Sequence, residues 1–238
     1  MIRDIFTPIR KKIIKTLNHL ARRSLFKIFL AYSIPFYLNI FKPRRFKFQR
    51  KYYDYIYHPY QFTWLNERCV EIPIIWELVR KNRGGRILEV GNVLSHYFLV
   101  NHDILDKYEK AKGVINRDVI DFNPSKKYDL IVSTSTLEHV GWNEPQRNPR
   151  KVLLAFNNLR KILKKGGIIF VTLPLGYNPH LDDYIRRGKI KFSQMYYLKR
   201  ISKKNLWKEV HFEDIKGAKY DAPYPMANAI LVGVIKKN

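Results

Sequence analysis

Two short stretches carry side chains able to move a proton near neutral pH. In "STLEHV", His139 follows Glu138; an imidazole is a base in this range, and a neighbouring carboxylate can orient it. The plainer alternative is a loop histidine that holds Glu138 or a backbone carbonyl. In "LPLGYNPHLDD", Tyr177, Asn178, His180 and Asp182 crowd into a polar turn, and they are candidate substrate-binding or base residues. Here the alternative is a Gly-Pro turn whose Asn and Asp cap a helix starting near Leu181. A metal held by His139, His180 and Asp182 is chemically conceivable, but no ligand spacing supports it and no metal is expected. The single cysteine, Cys69, excludes an internal disulfide and a cysteine-built zinc site, which fits a reducing compartment.

The elements that must position these residues alternate in type. "NERCVEIPIIWELVRKN" places Val70, Ile74 and Leu78 on one helical face, interrupted by Pro73, and Gly84-Gly85 ends it. "RILEV" is a short buried strand closed by Gly91, "HDILD" a weak second, "GVINRDVIDF" a third and "YDLIVSTS" a strong fourth. A helix follows with apolar residues at 152, 155, 156, 159, 162 and 163, and "KKGG" hands over to the strand "IIFVTLPL". "LWKEVHFEDI" and "NAILVGVIKK" have strand composition, whereas the basic, aromatic segment 182–210 could grip phosphate or a polyanionic acceptor, or be an ordinary surface helix and insertion. This is an α/β pattern: a doubly wound, mostly parallel sheet with helices on both faces. Ligands of such sheets bind beyond the carboxyl ends of the strands, where strand order reverses.

In order and spacing, "RILEVGNVLS", "HDILD", "INRDVIDF", "KYDLIVSTSTLEHV" and "LRKILKKGGIIFVTLP" together resemble the class I S-adenosylmethionine-dependent methyltransferases. The resemblance covers about residues 84–175 and extends more loosely to the C-terminus. It implies a Rossmann-like sheet and S-adenosyl-L-methionine as cofactor. Carried over residue by residue, Glu89 would orient the loop and cofactor, Gly91 would let the chain turn tightly beside the ligand, and Asp106 would accept from the ribose hydroxyls. Asp118, with Val119 beside it, would face the adenine and accept from its amino group, and Ser133 would join the cofactor site. His139 would stand near the transferred methyl, with Glu138 and His180 as further catalytic candidates and Tyr177, Asn178 and Asp182 toward the substrate. For Asp106 and Asp118 a capping role competes. The family's glycine loop is altered: Val93 and Ser95 replace two glycines, so the loop must take another path or leave less room, with Asn92 and Ser95 supplying side-chain hydrogen bonds.

Among the 238 residues, 45 Lys and Arg face 20 Asp and Glu, a net charge of +25 that calls for a polyanionic partner. Residues 1–51 hold 14 of the bases and one acid. Ile9, Ile13, Leu17, Leu20 and Ile28 recur there at helical spacing opposite Arg10, Lys11, Lys15, Arg22 and Arg23, and residues 28–41 form an uncharged stretch too short to cross a bilayer. The expected organisation is a basic helical extension over 1–51 that attaches to an anionic membrane surface, an aromatic connector and leading helix over 52–83, and a methyltransferase-like domain over 84–238. The expected function is O-methylation of a membrane-associated, glycan or lipid-linked acceptor by a cytoplasmic protein peripheral to the membrane. The alternatives are an inactive scaffold, given the altered loop, and an RNA-directed methyltransferase that grips nucleic acid with the basic arm. "STSTLEH" lacks the Asn/Asp-Pro-Pro-aromatic motif of base-amine methylation.

Overall fold

The computed structural model describes residues 44–238 together with Ser33, Leu38 and Ile40. The amphipathic helix and uncharged stretch expected before residue 44 otherwise lie outside the described residues.

The core is an eight-stranded sheet. In chain order its strands are β3 (Ile87–Val90), β4 (Asp103–Leu105), β5 (Val114–Ile115), β6 (Tyr128–Thr134), β7 (Leu163–Pro174), β8 (Gln194–Arg200), β9 (Trp207–Val210) and β10 (Ala229–Lys236). They lie in the order β5-β4-β3-β6-β7-β10-β8-β9. Strands β5 through β7 run parallel, and β10 is inserted antiparallel between β7 and β8. The chain winds outward from β3 to β5, then returns to the other side of β3 as β6, so strand order reverses between β3 and β6. This is the doubly wound, mostly parallel sheet expected.

Period-2 alternation sorts the strand residues onto two faces. Leu88, Val90, Ile131, Ile169, Val171 and Leu231 join one core cluster; Ile87, Leu130, Val132, Phe170, Ile230 and Val232 join the other. The first cluster is covered by α2 (Lys151–Ile162), whose Val152, Ala155, Phe156, Leu159 and Ile162 are buried at the expected helical spacing, and by α3 (Pro179–Arg186). The second is covered by α1 (Arg68–Lys81). Both faces therefore carry helices.

Helix α1 runs straight through Pro73 rather than stopping at it. Proline leaves the carbonyl four residues back without its helical donor. That carbonyl, on Cys69, accepts from Ile56 N–H at 3.1 Å, so the connector completes the helix. Outside α1 sits a hairpin, β1 (Arg45–Phe48) paired with β2 (Lys51–Asp54). Phe46 and Phe48 are buried in the second cluster, and the rings of Tyr55 and Tyr57 stack at 5.8 Å. The boundary drawn at residue 51 thus falls within this hairpin.

Two local expectations change, and one crossover between parallel strands carries no α-helix. Of "GVINRDVIDF", only Val114–Ile115 is strand. The crossover from β3 to β4 carries a 3-10 turn, Leu94–His96, and no α-helix. Within 182–210, Gln194–Arg200 is the strand β8, not surface helix, because it pairs with both β10 and β9.

Phe156 is fully buried, whereas Leu154 on the same helix is 50% exposed. Phe156→Ala is expected to cost about 3–5 kcal/mol and Leu154→Ala well under about 1 kcal/mol, read from denaturant unfolding midpoints. Equal losses would mean that α2 does not present this face to the sheet.

Candidate functional site

Beyond the carboxyl ends of β3, β4 and β6 lies a cavity of about 860 Å³, walled by Gly91, Asp106, Asp118, Thr136, His139 and Tyr177 among others. It occupies the reversal in strand order, where such sheets bind ligands.

The loop after β3 forms one wall. Gly91 has φ +88°, and a Cβ there would lie 2.2 Å from Thr136 Oγ1, so only glycine lets this backbone press against the turn after β6. Glu89 is fully buried beneath the loop. Its Oε1 accepts from Val93 N–H at 3.0 Å and Leu94 N–H at 2.7 Å, and its Oε2 pairs with His102 Nε2 at 2.9 Å. Glu89 therefore orients the loop without lining the cavity. Val93 keeps φ at −112°, so the β-branched residue avoids strain by steering the chain into the 3-10 turn. Asn92 reaches the cavity and ties the loop to the next strand end: its N–H donates to Asp106 Oδ2 at 3.0 Å and its Nδ2 to Glu109 Oε1 at 2.8 Å. Ser95 donates to Asn92 Oδ1 but is exposed and outside the cavity.

Asp106 and Asp118 both line the wall, each already engaged. Asp106 Oδ1 accepts from Tyr108 and Glu109 N–H at 2.8 Å each, holding the loop that follows rather than capping a helix. An ionised carboxylate has about four acceptor positions, so with Asn92 on Oδ2 one remains. Asp118 Oδ2 takes Lys151 Nζ at 2.6 Å and Lys107 Nζ at 2.9 Å, and both lysines also meet Glu144. Burial pushes the Asp118 pKa up, but the two lysines outweigh it and hold the group below the ordinary aspartate range. Val119 is buried and lines the cavity; Ser133 is buried, donates to Val90 O at 3.0 Å and does not reach it.

The other end is built on the turn after β6. His139, with 46% of its side chain exposed, meets Tyr177 edge-on at 4.9 Å. Its Nδ1 lies 3.2 Å from Asn143 Oδ1, which can only accept, so Nδ1 carries the proton and Nε2 keeps its lone pair. Partial burial lowers the ring's pKa. Glu138 lines the same wall at 1% exposure; burial raises its pKa well above the ordinary value, and Oε2 has no hydrogen-bond partner.

In the turn after β7, three candidates do not reach the cavity. Asn178 caps α3, accepting from His180 and Leu181 N–H at 3.1 Å and donating to Glu138 O at 2.8 Å. Asp182 Oδ2 accepts from Gly176 N–H at 2.8 Å, and burial lifts its pKa to about 6. His180 is exposed, with its ring 5.6 Å from Trp142. The capping reading holds for Asn178, whereas Asp182, inside α3, ties the helix back to the turn at Gly176.

Sequence reasoning missed the cavity floor. Glu67 and Arg68 at the head of α1 line it, as do Tyr60, Tyr97 and Tyr220, and Glu71 lies buried just behind. The available signal was charge: in "NERCVEIPII", Glu67, Arg68 and Glu71 interrupt a helix otherwise apolar on nearly every side. Ser135 Oγ donates to Glu71 Oε1 at 2.5 Å, and burial, partly offset by Arg68, raises the Glu71 pKa to about 7.

No protein-family model matches the sequence, and a search of curated proteins finds no match. Several solved structures are similar in chain course. The N-methyltransferase NodS from Bradyrhizobium japonicum, in complex with S-adenosyl-L-homocysteine, is 12% identical with a TM-score of 0.41, over 68% of this chain and 84% of that one. An S-adenosylmethionine-dependent methyltransferase from Clostridium acetobutylicum is 13% identical with a TM-score of 0.37, over 71% and 91%. A possible histamine N-methyltransferase from Thermotoga maritima is 16% identical with a TM-score of 0.38, over 64% and 83%.

Proposed function

We propose that this protein is an S-adenosylmethionine-dependent methyltransferase. The observation that carries the reading is the cavity at the strand-order reversal, lined by the Gly91 turn, Asp106, Asp118 and His139. Its volume suits a ligand of nucleoside size or larger. Asp106 has one acceptor position left for a ribose hydroxyl, and Asp118, held ionised by Lys107 and Lys151, can accept from an adenine amino group beside buried Val119. When bound, the cofactor supplies a methyl group on a sulfonium that carries its own leaving group, so the protein's work is to position the nucleophile and exclude water.

The acceptor we favour is a hydroxyl. Its proton has a destination in His139 Nε2, the free position of a ring whose Nδ1–H is held by Asn143. Glu138 Oε1 lies 3.5 Å from that Nε2. The basic, amphipathic segment before residue 44 supports a membrane-associated acceptor, such as a lipid-linked glycan, reached by peripheral attachment at the cytoplasmic surface. No helix among the described residues is long and apolar enough to cross a membrane.

Three outcomes are expected. Titration calorimetry of the full chain should give micromolar binding of both S-adenosylmethionine and S-adenosylhomocysteine. Asp118→Ala should weaken it about tenfold or more, the loss of a charge-assisted hydrogen bond, whereas Ser133→Ala, outside the cavity, should leave it unaltered; a folded chain that binds neither compound ends the reading. In a nitrogen-15 NMR titration, His139 should be neutral at pH 7 and protonate with a midpoint below 6.5, the direction set by its burial; a midpoint above 7 would remove it as a base. In flotation assays at moderate salt, the full chain should rise with vesicles containing phosphatidylserine, and failure to do so would remove the membrane from the proposal.

A further inference from the structure

The backbone N–H groups of residues 91–94, at the start of the loop after β3, are all engaged within the protein. Gly91 N–H donates to Leu105 O at 2.8 Å, Asn92 N–H to Asp106, and Val93 and Leu94 N–H to Glu89. A ligand anion lying over these four residues must therefore find its donors elsewhere.

Arg68 has one to give. It is the first residue of α1, lines the cavity, and exposes 20% of its side chain. Its Nη2 donates to Ser135 O at 3.3 Å, and its Nε stands 3.9 Å from Glu71 Oε2, an ion-pair distance too long for a hydrogen bond. Its Nη1 is buried with no partner. A buried guanidinium donor left unmade is costly, and the planar fork fits a carboxylate in two-point contact. Burial works against the charge, but the nearby Glu71, Glu67 and Glu138 raise the guanidinium's pKa, so Arg68 stays a cation at this wall. The location also fits: Ser135, which holds Nη2, precedes Thr136, whose hydroxyl abuts the Gly91 turn.

We propose that Arg68 receives the α-carboxylate of the cofactor's methionine arm, replacing contacts that the altered loop no longer offers. This rests on the cofactor reading above, and an acceptor carboxylate is the other source of the same chemistry. The test separates them with two probes, S-adenosylhomocysteine and 5′-methylthioadenosine, which share the nucleoside but differ in the amino-acid arm. Calorimetry on the full chain should show S-adenosylhomocysteine bound about tenfold or more tightly than 5′-methylthioadenosine. In Arg68→Gln that preference should shrink to within about threefold, with 5′-methylthioadenosine affinity little changed, which also reports an intact fold. Arg68→Lys, which keeps the charge but not the fork, should fall between and serves if the glutamine variant fails to fold. An undiminished preference in both variants would overturn the proposal while leaving the cofactor reading standing, and would assign the guanidinium to the acceptor. Absence of binding by either probe to the unaltered chain would overturn both.

Discussion

The site depends on one buried carboxylate. Glu89 sits in the middle of the sheet with no water to solvate it, and an ion in that position must be fully hydrogen-bonded or neutral. It meets the requirement by drawing Val93 and Leu94 N–H onto one oxygen and His102 onto the other. Those bonds fold the loop into its 3-10 turn, tie β3 to the start of β4, and hold Gly91 against Thr136. The path of the loop and the engagement of the Val93 and Leu94 amides follow from how this carboxylate is bonded.

A second consequence concerns what encloses the cavity. A parallel crossover is usually a helix, yet residues between β3 and β4 and between β4 and β5 contain none. The wall is instead a loop system held by polar side chains: Asp106 receives three backbone N–H groups, and Asn92 and Glu109 join neighbouring loops. Beside it, Lys107 and Lys151 shared between Asp118 and Glu144 form a knot that keeps both carboxylates ionised. Such a wall is ordered before a ligand arrives, which lowers the entropy that binding must offset.

Periodicity made much of the fold legible in the sequence. Helix α2 and strands β3, β6 and β7 could be located because burial on one or both faces leaves a repeating apolar pattern. Strand β8 escaped, since "QMYYLKR" mixes basic and aromatic residues and owes its strand form to partners on both sides, a tertiary fact. At the site, Gly91, Asp106, Asp118 and His139 could be found because strand ends announce them. Asn178 and Asp182 could not be told from capping residues by type alone, since Asn and Asp serve both purposes. Arg68 was missed because its place in the cavity wall and its unpartnered Nη1 are tertiary facts.

The two ends of the cavity differ in their electrostatics, and the difference bears on mechanism. Around Asp118 the lysines hold carboxylates charged, giving a strongly polar end suited to a nucleoside's hydroxyl and amino groups. Around Glu138, burial favours the neutral acid, and His139 is held as the neutral base. A sulfonium loses its positive charge on methyl transfer, so a charged anion close to it would favour the starting state over the transition state. For the proposed sulfonium donor, an end where burial favours the neutral forms of its acids would lack that penalty. On that reading, the burial of Glu71 and Glu138 is a cost to stability that would serve a positively charged donor.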